Sequence, residues 1–244
     1  MDSGYYAALA GLQARTQALE LLAHNLANLN TKGYRAQREF YRSLTASLDG
    51  APLDPLNRAI NNFGVLGGAM IDLRPGNLEP TGNPLDLAIE GSGFFAVETP
   101  AGIRYTRNGS FRVSASQRLV AAGDHPVLGE QGPIEIPSGA VSISPDGTLS
   151  VGGAVIGRLR MVEFAPGAEL TPEGDSFYAA PAGAERPAAS SAVRQGAVES
   201  SNFNPVAGTV GLVVLQRHAE MLQRTLAIFH GEFNRMAAEE LPRI

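Results

Sequence analysis

Apolar or small residues at Leu212, Leu215, Ala219, Leu222, Leu226, Phe229, Phe233 and Met236 alternate steps of three and four without a break. That is the spacing of a heptad seam. It predicts a last helix of roughly 30 residues, about 45 Å long, whose seam needs an apolar partner. Each buried Leu or Phe contributes on the order of 1.5 to 3 kcal/mol that is lost if it faces water. A matching alternation opens the chain, at Tyr5, Leu9, Leu12, Thr16, Leu19, Ala23 and Leu26. Nothing between the ends carries another heptad of that length, so the two termini are expected to pair. On the opposite side of the first helix, two residues after each seam position, lie Ala7, Gly11, Ala14, Ala18 and Leu21. One partner helix covers one stripe, so this second stripe reads as a surface for another copy or another protein. The plainer alternative is that its alanines are only good helix formers.

Between the helices the period changes. Asp2 or Ser3 is a candidate cap for the first helix, and Gly33 is a natural stop, since glycine takes positive φ without strain. Gln37 to Leu48 has the spacing of a short amphipathic helix through Phe40, Tyr41, Leu44 and Leu48. Asp49 to Gly68 is rich in Gly, Pro and Asn and reads as an irregular connector. Short apolar runs follow at Leu85 to Ile89 and Phe94 to Val97, with a hairpin expected at Asn108-Gly109 between Ile103 to Arg107 and Ser110 to Val113. Further short strands and tight turns run to Phe164. Ala179 to Ser191 is an Ala-, Pro- and Ser-rich loop. The expected fold class is α+β: paired N- and C-terminal heptad helices form a discontinuous coiled-coil domain, and a mainly-β domain of short antiparallel strands is inserted between them. The expected boundaries are 1–33 for the first helix, 34–75 for the connector, 76–200 for the β-rich domain and 201–244 for the last helix.

Composition narrows the chemistry. A net charge of -5, with no cluster of Lys and Arg, argues against nucleic-acid binding. The absence of cysteine removes disulfides and thiolate chemistry together. No apolar run is long enough to span a membrane, and the N-terminus lacks the pattern of a cleaved secretory signal. Gly91-Ser92-Gly93 is not followed by the third glycine and helix of a dinucleotide site, and no G-x-S-x-G elbow is present. His24, His125, His218 and His230 have no metal-ligand spacing. No cofactor, metal or catalytic residue is expected. Asp86, inside an apolar run, reads as a turn or backbone-bonding group, with Arg107 as its candidate partner.

Three motifs carry a resemblance. Asn25, Ala27, Asn28, Thr31, Gly33, Tyr34 and Arg35 match the pattern that ends the first helix of the flagellar axial proteins, the rod and hook subunits. The stretch from Thr81, TGNPLDLAIEGSGFFAVETPAGIRYTRNGSFRV, is similar to that family's central signature, and departs from it at Ser116-Gln117-Arg118, where the family commonly has an Asp or Asn turn with glycine. Gly196, Val198, Glu199, Ser201, Asn202, Phe203 and Asn204 resemble its approach to the C-terminal helix. The resemblance implies a structural subunit rather than an enzyme, of proximal-rod type with distal-rod type as the alternative. It also implies other rod subunits and hook-side axial proteins as partners, and uncleaved export through the flagellar type III apparatus to a periplasmic basal body. The rivals from other classes are a soluble β-sandwich binding module and a cell-wall-acting enzyme.

Overall fold

A computed structural model describes residues 2–42, 65–165, 167–188 and 190–240. The chain divides into two compact units, one made of Met1–Leu26, Gln37–Met70 and Asn204–Ile244, the other of Ala27–Ala36 and Ile71–Phe203.

The first unit holds helix α1, Asp2–Ala27, and helix α2, Pro205–Glu240. Helix α2 starts at an Asn-Pro pair. The Asn204 Oδ1 accepts the Ala207 N–H at 3.0 Å, and Pro205 occupies the first helical position, where its missing N–H costs nothing. A Cβ on Gly11 would stand 3.6 Å from a Leu222 methyl, and one on Gly211 would stand 3.4 Å from a methyl of Leu22. Advancing along α1 therefore retreats along α2, and the helices pack antiparallel. Their facing surfaces differ from the expected pairing. On α2, Ala219 is buried and Leu212, Leu215, Leu222 and Leu226 are half-buried, whereas Phe229 of the expected seam is 42% exposed. On α1 it is the small-residue stripe that turns inward: Gly11 lies against Leu222, and Ala14 and Ala18 are buried, Ala18 to 2%. Leu9 of the expected α1 seam is 43% exposed, and Leu12, Leu19 and Leu26 are half-buried. The physical reason is approach distance. Small side chains on α1 leave a groove that the leucines of α2 fill, whereas leucines on both faces would hold the axes apart.

Beyond the turn that follows α1, Gln37–Arg42 is a strand paired with Val65–Ile71, not the start of the short helix expected over 37–48. The buried Asn25 side chain holds Gln37 from both sides, accepting its N–H at 2.8 Å and donating to its carbonyl at 2.7 Å. That clamp sets the chain off extended. Residues 43–64, which carry most of the expected connector, lie outside the described residues.

The second unit is built on a six-stranded sheet in the order Thr171–Pro172, Phe177–Ala179, Gly102–Thr106, Phe94–Thr99, Met161–Phe164, Glu185–Pro187, with smaller two- and three-stranded sheets around it. All of its named pairings are antiparallel. Strand Phe94–Thr99 is covered on both faces. Phe95 and Val97 join Leu87, Ile89, Leu119, Val127 and Leu149 in one core, while Phe94 and Ala96 join Tyr105, Val162, Phe164 and Tyr178 in another. Alternation along the pleat produces this split. Phe94 meets Phe164 and Tyr178 edge-on, at centroid distances of 5.4 and 6.0 Å.

Asn108-Gly109 does not turn a hairpin. Gly102–Thr106 pairs with Phe94–Thr99 through a two-residue loop at Pro100-Ala101, and Arg112–Val113 pairs instead with Leu119–Val120. Gly109 marks a crossing. Its backbone passes so close to strand Leu87–Glu90 that a Cβ would fall 1.6 Å from the Leu87 carbonyl oxygen, and the Gly109 carbonyl accepts the Leu87 N–H at 2.9 Å. At Ser116-Gln117-Arg118, where the chain departs from the resembled pattern, a turn still forms with Gln117 at a φ of 59°. Asp86 accepts from the Asn83 side chain at 3.2 Å, and Gly196 N–H donates to its carbonyl at 2.8 Å, so it does serve as a turn residue. Its expected pairing with Arg107 does not occur.

Candidate functional site

Arg107 pairs with Glu199. The three motif regions of the chain converge on one fully buried carboxylate, with Arg35, Arg107 and Glu199 all at 0% exposure. Glu199 ends the strand Ala197–Glu199, which pairs with Leu78–Pro80. Its Oε1 stands 2.5 Å from the Arg35 Nη1 and accepts the Gly76 N–H at 2.6 Å. Its Oε2 accepts the Arg107 Nη1–H at 3.1 Å. Arg107 also donates to the carbonyls of Ile89 at 3.2 Å and Gly91 at 2.6 Å, and its guanidinium carbon lies 4.9 Å from the Phe94 ring centroid. The two arginines are unequally held. Arg35 Nε and Nη2 find no acceptor among the described residues, so its hold on Glu199 is ionic. One carboxylate thus serves two guanidinium groups, leaving a buried positive charge in excess. Burial, and after it the neighbouring Arg35, bring the Arg107 guanidinium down to about 10, with Glu199 acting in the opposite direction.

The backbone around this cluster ties both connecting segments into the β unit. Gly33 N–H donates to the Glu199 carbonyl at 2.7 Å, Arg35 N–H to the Tyr178 hydroxyl at 2.9 Å, and Ala36 N–H to the Asn202 Oδ1 at 2.7 Å. Asn202 returns the contact. Its N–H donates to the Tyr34 carbonyl at 3.3 Å, and its amide nitrogen donates to the carbonyls of Asp72 and Arg74 at 2.9 and 2.8 Å. Asn28 and Thr31 shape the turn, the Thr31 hydroxyl lying 3.1 Å from the Asn28 Oδ1, and the Ser201 hydroxyl accepts the Phe203 N–H at 3.3 Å.

Gly33 carries a φ of +67°, and a Cβ there would stand 2.2 Å from the Asn108 N. Only glycine fits. Gly33→Ala is expected to destabilise the β unit by at least about 2 kcal/mol, read as a lowered urea midpoint.

Of the residues singled out in the sequence, the motif positions Asn28, Thr31, Gly33, Tyr34, Ser201 and Asn202 come together in the β unit, while Asn25 serves the helical unit. The helical stripes remain on α1 and α2, with Ala7 and Phe233 carried there too. Arg35, Arg107 and Glu199 stand in the motifs but were not expected to meet; Tyr178 lies outside all three. No periodicity in the sequence singles these three out from the other charged residues of the motifs, since Arg107 lies between Thr106 and Asn108 and the central motif also holds Asp86, Glu90, Glu98 and Arg104.

The tyrosines around the site give a pH dependence. Burial raises Tyr178 to about 12, burial with a hydrogen bond to Glu185 raises Tyr105 to about 12, and burial, then Tyr178, pushes Tyr34 higher still. A raised folded-state value contributes stability that is present below the ordinary value of 10 and lost as pH climbs through about 12. The depressed Arg107 acts oppositely and offsets part of that loss. The β unit is expected to weaken progressively over this window, with Tyr34, Tyr105 and Tyr178 ionising late and together with unfolding. Full ionisation of all tyrosines near pH 10 without unfolding would contradict the burial.

Among the described residues, no three His, Asp or Glu side chains are placed to hold a metal ion, and no helix is long and apolar enough to cross a membrane. The cluster has the geometry of a structural lock joining three distant segments.

Comparison with known proteins agrees on a family. A family model described as Flagella basal body rod protein matches residues 6–35, and one described as Flagellar hook protein FlgE/F/G D1 domain matches residues 88–151. The flagellar basal-body rod protein FlgF of Salmonella typhimurium is 32% identical, covering 93% of each chain. That of Caulobacter vibrioides is 30% identical over all of both chains. The flagellar basal-body rod protein FlgG of Agrobacterium fabrum is 33% identical over 90% of this chain and 92% of its own. With its helical ends and its β unit both matched, and the similarity running from end to end, this chain belongs to the flagellar basal-body rod protein family.

Proposed function

We propose that this chain is a structural subunit of the proximal flagellar rod, assembling with other proximal and distal axial subunits, and with hook-side axial proteins above them, into the shaft that transmits torque through the periplasm. The observation that carries this reading is the end-to-end similarity to rod proteins named FlgF. The similarity to FlgG proteins makes a distal-rod subunit the second reading. Delivery through the flagellar type III apparatus, without a cleaved signal, belongs to the same proposal.

Exposed apolar rows support assembly through the helices. On α2, Val206, Val210, Val213, Met221 and Ile228 are exposed, Val206 to 70%, on the side away from Ala219 and Leu222; Phe229, two turns beyond Leu222 on the seam side, is also exposed. On α1, Leu9 is exposed, and Leu12, Leu19 and Leu26 beside it are half-buried. These rows, with Phe233, are the surfaces proposed to be covered by neighbouring subunits, because an apolar stripe of this length gains most of its stabilisation only when it is buried. The stripe of Gly11, Ala14, Ala18 and Leu21 then serves the pairing within the chain.

The test is electron microscopy of basal bodies from cells lacking the gene, with add-back of the full chain or of residues 31–204 alone. A missing or truncated rod, restored only by the full chain, is the expected result, and the break point separates proximal from distal. Intact basal bodies in the deletion strain would overturn the proposal.

A further inference from the structure

The cluster's two cations come early in the chain and their shared anion comes late, with Glu199 lying 92 residues beyond Arg107. The strands around Glu199 are also those that close the β unit. Ala192–Gln195 pairs with Leu87–Glu90 and Ala197–Glu199 with Leu78–Pro80. Val193 enters the larger core. The Gln195 side chain donates to the carbonyls of Pro84 and Val141 and accepts the Ile143 N–H.

Arg107, in contrast, is embedded mainly by residues near it in sequence. Its acceptors Ile89 and Gly91 and its ring contact Phe94 lie 18, 16 and 13 positions before it. Strands Phe94–Thr99 and Gly102–Thr106 pair directly and, with residues 89–91 just before them, are therefore close enough in sequence to associate as soon as they exist. Doing so without Glu199 would bury the Arg107 charge with only two carbonyls and a ring face to meet it. Neutral dipoles compensate a buried cation poorly, and an uncompensated one opposes closure by more than a few short strands return. Arg35 faces the same obstacle with fewer acceptors.

We infer that Glu199 is the closing charge that gates folding of the β unit: the central strands stay open until the chain is present through residue 199, and the unit then closes in one step around Arg35 and Arg107. A chain delivered from its N-terminus accordingly remains unfolded over most of its length until its last quarter arrives. This is a property of the isolated full chain and does not rest on the rod reading.

The experiment is refolding of the full chain from urea with pulsed hydrogen-exchange labelling, followed by mass spectrometry of peptides covering 94–106 and 192–200. Wild-type chain is expected to protect both regions with one common time constant. Glu199→Gln is expected to lower equilibrium protection over 94–99 at least about a hundredfold, since it strands two buried cations. The triple variant Arg35→Met, Arg107→Met, Glu199→Met removes the charges while keeping apolar bulk; in it, protection over 94–106 is expected to run ahead of protection over 192–200. Wild-type protection of 94–106 before 192–200 would overturn the gate. So would a triple variant that folds with the wild-type single phase, because closure would then depend on the late strands and not on the charge. Should the triple variant not fold, the wild-type time courses and the Glu199→Gln protection decide by themselves.

Discussion

Glu199→Ala is expected to cost the β unit about 3 to 5 kcal/mol, the range found when one partner of a buried ion pair is removed and the other is left stranded. Here two guanidinium groups are stranded, Arg107 with only the carbonyls of Ile89 and Gly91 and Arg35 with no directed acceptor. The Gly76 N–H loses its acceptor as well. Arg35→Met is the instructive contrast. It removes the excess positive charge, relieves Arg107 of the neighbour that depresses it, and keeps an unbranched apolar side chain in the space, so its cost is expected to stay under about 1.5 kcal/mol. Urea unfolding of both variants, followed by proteolysis of the β unit, checks the pair. Equal losses in the two would mean that Arg35 is bound as tightly as Glu199 and that the cluster is not over-supplied with positive charge.

Leu222→Asp with Leu226→Asp is expected to dismantle the helical unit and spare the β unit. Leu222 sits over Gly11, and Leu226, one turn on along α2, is half-buried as well. Half-buried leucines contribute about 1 to 2 kcal/mol each, and a carboxylate placed there adds a desolvation cost without a partner. A pair of helices with little other burial has no reserve against such a loss. Far-UV circular dichroism should lose helical signal while hydrogen exchange over 87–97 stays at wild-type protection. In cells the variant is expected to be absent from rods. Unchanged helicity, or normal rods, would show that the groove is not what holds the helices.

The Gly11 groove also shows where local pattern reaches its limit. The C-terminal helix could be read directly, and so could the antiparallel β character of the middle, because burial on one side imposes a period on the residues that must be apolar. On α1 two stripes satisfied the same period. The hydrophobicity of leucine favoured one and the close approach permitted by alanine and glycine favoured the other, and only the helix packed against them decides which demand prevails. Gly109 follows the same logic. In sequence Asn108-Gly109 has the form of a hairpin turn, yet the glycine is there because the Leu87 carbonyl passes where a Cβ would be. Gln37–Arg42 became a strand because Asn25, 12 positions earlier, takes both backbone groups of Gln37.

The sequence by itself determined the class of the fold, the helices at its two ends, and the family, because these rest on periodicity and on motifs whose residues lie close together along the chain. The tertiary structure alone decided which stripe of α1 faces inward and which carboxylate neutralises Arg107. Those outcomes depend on the distance between packed backbones and on the desolvation of charges contributed by segments far apart in the chain, and neither quantity leaves a period in the sequence.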